Sequence, residues 1–168
     1  MSRRTLIWLV PLFLTIHNAE EAVAFRSYLP RVATLLPSPI EAVATRITYP
    51  TMLVALAVVS ALAILVALVA ARHPSSPRAL WVLLALEATV GLNVIAHIAS
   101  ALVLFRGYAP GLVTAILVNA PFAVVCFRRA ARERWVSAAA LWATIPAAVV
   151  LHGPVLVGAL WLAARRAP

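Results

Sequence analysis

Long runs without a charged residue are the feature that most constrains the fold of this chain. Residues 51–71 carry no charge, and apart from Thr51 and Ser60 their side chains are apolar. A helix of about 20 apolar residues is long enough to cross the hydrocarbon core of a bilayer. Four more predominantly apolar segments lie at residues 5–25, 79–105, 112–127 and 135–163. We therefore predict an all-α fold, a single integral membrane domain built as a polytopic bundle of about five transmembrane helices.

The composition agrees with this prediction. Hydrophobic residues make up 64% of the chain and charged residues 11%, whereas soluble domains contain roughly 25% charged residues. All 14 basic residues are arginines, and they are spread between the apolar segments. Nucleic-acid binding needs basic residues clustered on one surface, so we interpret these arginines as membrane anchors and expect no nucleic-acid partner.

The arginines also predict an orientation. With five spans, one side of the membrane receives the N-terminus and eight arginines: Arg3, Arg4, Arg72, Arg78, Arg128, Arg129, Arg132 and Arg134. The other side receives six: Arg26, Arg31, Arg46, Arg106, Arg165 and Arg166. Because short cytoplasmic loops carry an excess of positive charge, we expect a protein of the cell membrane with a cytoplasmic N-terminus.

Ionisable residues interrupt the first apolar segment. His17, Glu20 and Glu21 are spaced i, i+3 and i+4, which places them on one face of a helix, while Asn18 points away. Charged residues at the centre of a membrane helix cost roughly 2.5–3.5 kcal/mol each on insertion scales, so they are usually functional. This face is therefore expected to form half of a metal site or a proton-handling site.

Two features near the N-terminus leave alternatives open. Arg3 and Arg4, the apolar run that follows and the small residues near Ala24 also fit a cleaved signal peptide spanning residues 1–24, although adjacent glutamates before a cleavage site argue against it. Further along, the pattern Ser38-Pro39-Ile40-Glu41 predicts the start of a short amphipathic helix in the membrane interface.

The third segment carries the best candidate partners. Asn93 and His97 share one face of this helix, whereas Glu87 lies ten residues before His97, about 15 Å along the axis. His152 in the last segment is expected at a depth similar to that of His17 and His97. Three helices then place histidines and glutamates in one layer of the membrane, near its extracytoplasmic side.

These residues suggest a metal-dependent membrane enzyme acting on a lipid-soluble substrate. Three histidines with a carboxylate suit zinc, iron or manganese. The expected ligands are His17, Glu20, His97 and His152. Glu21 is expected to act as a general base or further ligand, Asn93 to orient His97 or the substrate, and Glu87 to relay protons.

Two other functions fit the same residues. A proton- or cation-translocating module would use the carboxylates at different depths as a path. A non-catalytic accessory subunit would use each polar group only for hydrogen bonds between helices, worth about 0.6 kcal/mol each.

The motif His17-x-x-Glu20-Glu21 in the first span, with Asn93-x-x-x-His97 and Tyr108-x-Pro110-Gly111 further on, resembles the HXXEE family of membrane proteins. That family is named for the motif and has no established activity. The resemblance implies a multi-pass bacterial or archaeal membrane protein in which His17, Glu20, Glu21 and His97 are candidate active groups.

Overall fold

The computed structural model describes residues 1–35 and 45–159, which form helices joined by short turns, with no strand among them. In chain order the helices are α1 (Arg3–Leu35), α2 (Tyr49–Arg72), α3 (Pro77–Phe105), α4 (Leu112–Arg132) and α5 (Ala138–Ala159). Each contains a segment long and apolar enough to cross a membrane. The predicted all-α fold with five such helices is thereby confirmed. The short interfacial helix expected from Ser38 onward begins outside the described residues.

A hydroxyl side chain caps the N-terminus of three of the helices. Thr48 accepts a hydrogen bond from the backbone N–H of Thr51 at the start of α2, and Ser76 and Ser137 cap α3 and α5 in the same way. Proline follows the cap in α2 and α3, where its missing N–H leaves no intrahelical bond unmade. These caps and prolines fix the residues at which α2, α3 and α5 begin.

The half of the bundle nearest the N-terminus is apolar. Its core consists of buried residues from α1 to α4 and from the turn after α4: Leu6, Ile7, Val10, Ala67, Ala70, Leu80, Leu83, Leu84, Phe122, Cys126, Ala130, Trp135 and Val136. Helix α1 supplies one wall of this core through Leu6, Ile7 and Val10.

The other half of the bundle is polar inside. His17, Asn18 and Glu21 of α1 are buried there together with His97 of α3. The helix α3 contacts all four other helices and so holds the two halves together. In this half three helices contain π-helical turns, Ser100–Phe105 in α3, Ala115–Asn119 in α4 and Leu151–Val155 in α5. Such turns are frequent at functional sites.

Small residues allow α2 to pack closely. Ala63, Ala67 and Ala70 are fully buried, at 0% exposure, along one face of this helix, whereas Ala61 is exposed on the opposite face. Close approach between membrane helices depends on such small residues because van der Waals packing supplies much of their association energy.

We therefore predict that Ala67→Leu destabilises the protein by about 1–3 kcal/mol, because the larger side chain overpacks the helix contact. Ala61→Leu introduces the same side chain toward lipid and is the matched control. Thermal unfolding of both variants in detergent measures the difference. Equal melting temperatures would show that the alanine face does not set the helix spacing.

Candidate metal centre

Three ionisable side chains from two helices meet in the polar half of the bundle. The Nε2 atoms of His17 on α1 and His97 on α3 are 3.1 Å apart. An oxygen of Glu21 lies 3.4 Å from Nε2 of His97 and 3.9 Å from Nε2 of His17. Among the described residues these three form the group whose ligand atoms are close enough to share a metal ion.

The distances in this cluster fit a common ion. Ligand atoms at about 2.0–2.1 Å from a tetrahedral zinc ion are about 3.3 Å from each other. The three separations of 3.1, 3.4 and 3.9 Å bracket that value. All three side chains are buried, so water does not compete strongly for them. Two imidazoles and one carboxylate leave at least one coordination position open, as catalytic zinc and iron sites require.

The side of His17 facing away from the cluster is held by a hydroxyl relay. Its Nδ1 lies 2.9 Å from the hydroxyl oxygen of Thr114, and that hydroxyl donates to Glu20 at 2.6 Å. Because the Thr114 proton is directed to the carboxylate, Nδ1 of His17 is the donor in the other bond. Nε2 of His17 then carries no proton, and its lone pair points into the cluster. Metal-binding histidines are usually oriented by such a partner on their other nitrogen.

Glu20 therefore occupies a different place from Glu21. Its carboxylate accepts hydrogen bonds from the Tyr108 hydroxyl at 2.7 Å, from the Thr114 hydroxyl and from the backbone N–H groups of Val113 and Thr114. These N–H groups lie at the start of α4, where a helix favours negative charge. From the sequence, Glu20 is expected to be a ligand and Glu21 a general base or further ligand. In the structure Glu21 lies beside the two histidines, whereas Glu20 accepts hydrogen bonds from four donors.

Tyr108 lies in the turn between α3 and α4, outside the spans. Partial desolvation raises the pKa of its phenol to about 12, and its hydrogen bond to Glu20 and the charge of that carboxylate act in the same direction. The phenol thus stays protonated and keeps donating to Glu20 throughout the physiological range.

Asn93 lies between the two histidines. Its Nδ2 is 3.0 Å from Nε2 of His17 and 2.9 Å from Nε2 of His97. In this orientation the amide donates to both lone pairs. Rotation of the amide by about 180° would instead present its oxygen to the same point, since the two ends of an amide have nearly the same shape. Asn93 is thus placed to orient both imidazoles, the role expected of it for His97.

The turn before α4 closes over the cluster. The carbonyl of Pro110 lies near the His97 ring. Gly111 has a φ of +80°, and a Cβ atom there would lie 2.7 Å from Cε1 of His17 and 2.8 Å from Cε1 of His97. Only glycine fits this position, both because of its backbone conformation and because the imidazoles lie against it.

Two expected site residues lie outside the cluster. Glu87 is buried ten residues before His97 on α3, and its Oε1 has no hydrogen-bond partner among the described residues. His152 is half-buried in the π-helical turn of α5, which packs against α3. Similar depth therefore did not bring His152 into the group formed by His17, Glu21 and His97.

The comparison with known families agrees with this geometry. A family described as "Protein of unknown function with HXXEE motif" matches residues 8–126, which include every residue of the cluster. The chain belongs to the HXXEE family. No curated protein and no solved structure matches it.

The three ionisable residues of the HXXEE motif occupy different places in the structure. Its histidine and second glutamate are spaced i, i+4 and both reach the cluster, while its first glutamate binds the start of α4 and, through Thr114, orients the histidine. Sequence reasoning missed Thr114, because a threonine in the first turn of a helix carries no signal of its own. Tyr108 and Gly111 belong to the pattern that resembles the family, but the sequence assigned no role to either residue.

We predict that Gly111→Ala destabilises the HXXEE protein by at least about 1–2 kcal/mol, the cost of placing a side chain in left-handed backbone, and displaces the two histidines. Gly107→Ala in the same turn is the control, because its Cβ would approach no atom closer than 3.9 Å. Thermal unfolding in detergent compares the two. A Gly111→Ala protein as stable as the control would contradict the close packing of this turn on the cluster.

Proposed function

We propose that this HXXEE protein is a metal-dependent enzyme of the cell membrane that acts on a lipid-soluble substrate. His17, His97 and Glu21 bind one divalent cation, which is zinc, iron or manganese. The observation that carries this proposal is the convergence of two imidazole nitrogens and a carboxylate oxygen at separations typical of ligands around one ion. A cation held there would act as a Lewis acid toward a bound substrate or water.

The hydrogen bonds behind the cluster support a metal more than simple packing. If the ring proton of His97 is on Nδ1, with the carbonyl of Pro110 nearby, its Nε2 has a free lone pair, as does Nε2 of His17. Two lone pairs and a carboxylate then face one another, and a cation between them removes the repulsion. In the competing hypothesis of an accessory subunit, the amide of Asn93 alone satisfies both nitrogens.

A groove beside His97 supports a substrate that arrives from the bilayer. It has a volume of about 170 Å³ and lies between α1 and the end of α3. Its lining is mostly apolar and includes Phe25, Leu104 and Phe105, with His97 and Ser100 as polar groups. An apolar chain in this groove would bring an attached polar group next to His97.

The apolar half of the bundle favours an enzyme over a translocating module. Glu87 is the one carboxyl group on α3, and the buried residues that precede it on this helix are Leu80, Leu83, Leu84 and Ala85. The three leucines belong to one apolar cluster with Leu6 and Ile7 of α1. In the described part of the chain, a polar path from the cluster therefore ends at Glu87, which we assign as a proton-holding group of the enzyme.

The orientation remains the one proposed from the arginines. The N-terminus and the apolar half face the cytoplasm, and the metal centre lies in the extracytoplasmic half of the membrane. His152 is retained as a candidate for the open coordination position, because its helical turn packs against α3.

The test is the metal content of the detergent-purified protein, measured by elemental mass spectrometry without chelators. We predict about one equivalent of metal in the wild type and almost none in His97→Ala or Glu21→Gln, because loss of one of three protein ligands from α1 and α3 removes the site.

His73→Ala is the matched control, since His73 is exposed in the turn between α2 and α3. It is expected to keep the wild-type metal content. A metal-free wild type, or metal retained in both ligand variants at normal stability, would contradict the metal centre and leave the accessory-subunit hypothesis in place.

A further inference from the structure

The end of the bundle that contains the N-terminus is rich in arginines, but only some of them are paired. Glu133 is the acidic residue in this region of the described chain. It forms ion pairs with Arg129 and, at 3.8 Å, with Arg3, and it accepts a hydrogen bond from the indole of Trp135 at 2.8 Å. Arg78 and Arg134 are exposed, and their guanidinium groups form no ion pair or hydrogen bond with the described residues. Their charge is therefore available to a partner.

Arg78 lies on a ridge between two apolar grooves. One groove, of about 440 Å³, lies between α2 and α3 and is lined by Leu65, Val66 and Val69. The other, of about 630 Å³, lies between α3 and the start of α5. Arg78 and Val82, one turn apart on α3, line both grooves.

The second groove has the character of a membrane interface. Trp81 and Trp135 line it near the ends of the spans, where tryptophan is enriched in membrane proteins. Ala140 and Ala143 of α5 also line it, as does Arg134, which precedes α5. Two unpaired guanidinium groups thus line this groove, and that of Arg78 also lines the first groove.

We propose that this ridge is a binding site for an anionic phospholipid. The phosphate binds between Arg78 and Arg134, and the two acyl chains lie in the two grooves on either side of Val82. Arginine suits this role because its planar guanidinium binds phosphate oxygens with two hydrogen bonds. The proposed cytoplasmic location of this end also fits, because anionic lipids are abundant in that leaflet.

The backbone conformation of Arg134 allows a substitution that removes the side chain without straining the fold. Its φ is +49°, in the left-handed region that favours glycine. Replacement by glycine removes the guanidinium while relaxing the backbone. A loss of lipid binding in Arg134→Gly therefore cannot be attributed to a weakened fold if its melting temperature equals or exceeds that of the wild type.

The test is native mass spectrometry of the full chain in detergent, titrated with phosphatidylglycerol or with phosphatidylcholine of the same acyl chains. We expect the wild type to bind one phosphatidylglycerol at least about tenfold more tightly than phosphatidylcholine, and the double variant Arg78→Gln with Arg134→Gly to lose that preference. The metal content of this double variant is expected to match that of the wild type, so the lipid-binding result does not depend on the metal centre.

The control double variant is Arg72→Gln with Arg132→Gln, which removes the same charge from the same end of the bundle outside the two grooves. It is expected to keep the preference. Equal binding of the two lipids by the wild type, or an equal loss of binding in both double variants, would overturn the proposal in favour of unspecific attraction to the arginine-rich end.

Discussion

The polar half of the bundle depends on the contact between the imidazoles of His17 and His97. This contact joins α1 to α3, and the remaining polar groups are arranged around it: Glu21 beside both rings, Asn93 between them and Gly111 against their edges. Buried polar groups are stable only when their hydrogen bonds are satisfied. The relay from His17 through Thr114 to Glu20 satisfies the outer side of the cluster, and a cation would satisfy the inner side.

The two halves of the bundle have different tasks. Apolar side chains close the half nearest the N-terminus and fix the helices, so the ligands of the other half are held on rigid elements rather than on loops. The turn of Tyr108 to Gly111 is the exception, but its contacts with Glu20 and the two histidines tie it to α1 and α3. The polar side chains of the site are thus grouped in one half of the bundle, and an apolar groove lies beside His97.

Much of this arrangement could be predicted from the sequence. Hydropathy gave five helices, and helical spacing placed His17 with Glu21 and Asn93 with His97. The choice between Glu20 and Glu21 could not be predicted, because positions i+3 and i+4 lie about 60° and 40° to either side of position i, and packing decides which one faces α3. Depth likewise does not determine direction, so it could not place His152. Thr114 and Gly111 act only through tertiary contacts.

X-ray absorption spectroscopy of the metal-loaded protein is the sharpest test of the proposal that α1 and α3 together bind one metal ion. We expect two imidazole ligands at about 2.0–2.1 Å with at least one oxygen ligand for zinc, and no such spectrum from His97→Ala, because that variant does not retain the metal. A spectrum with oxygen ligands only, or one unchanged by His97→Ala, would contradict a centre shared by the two helices.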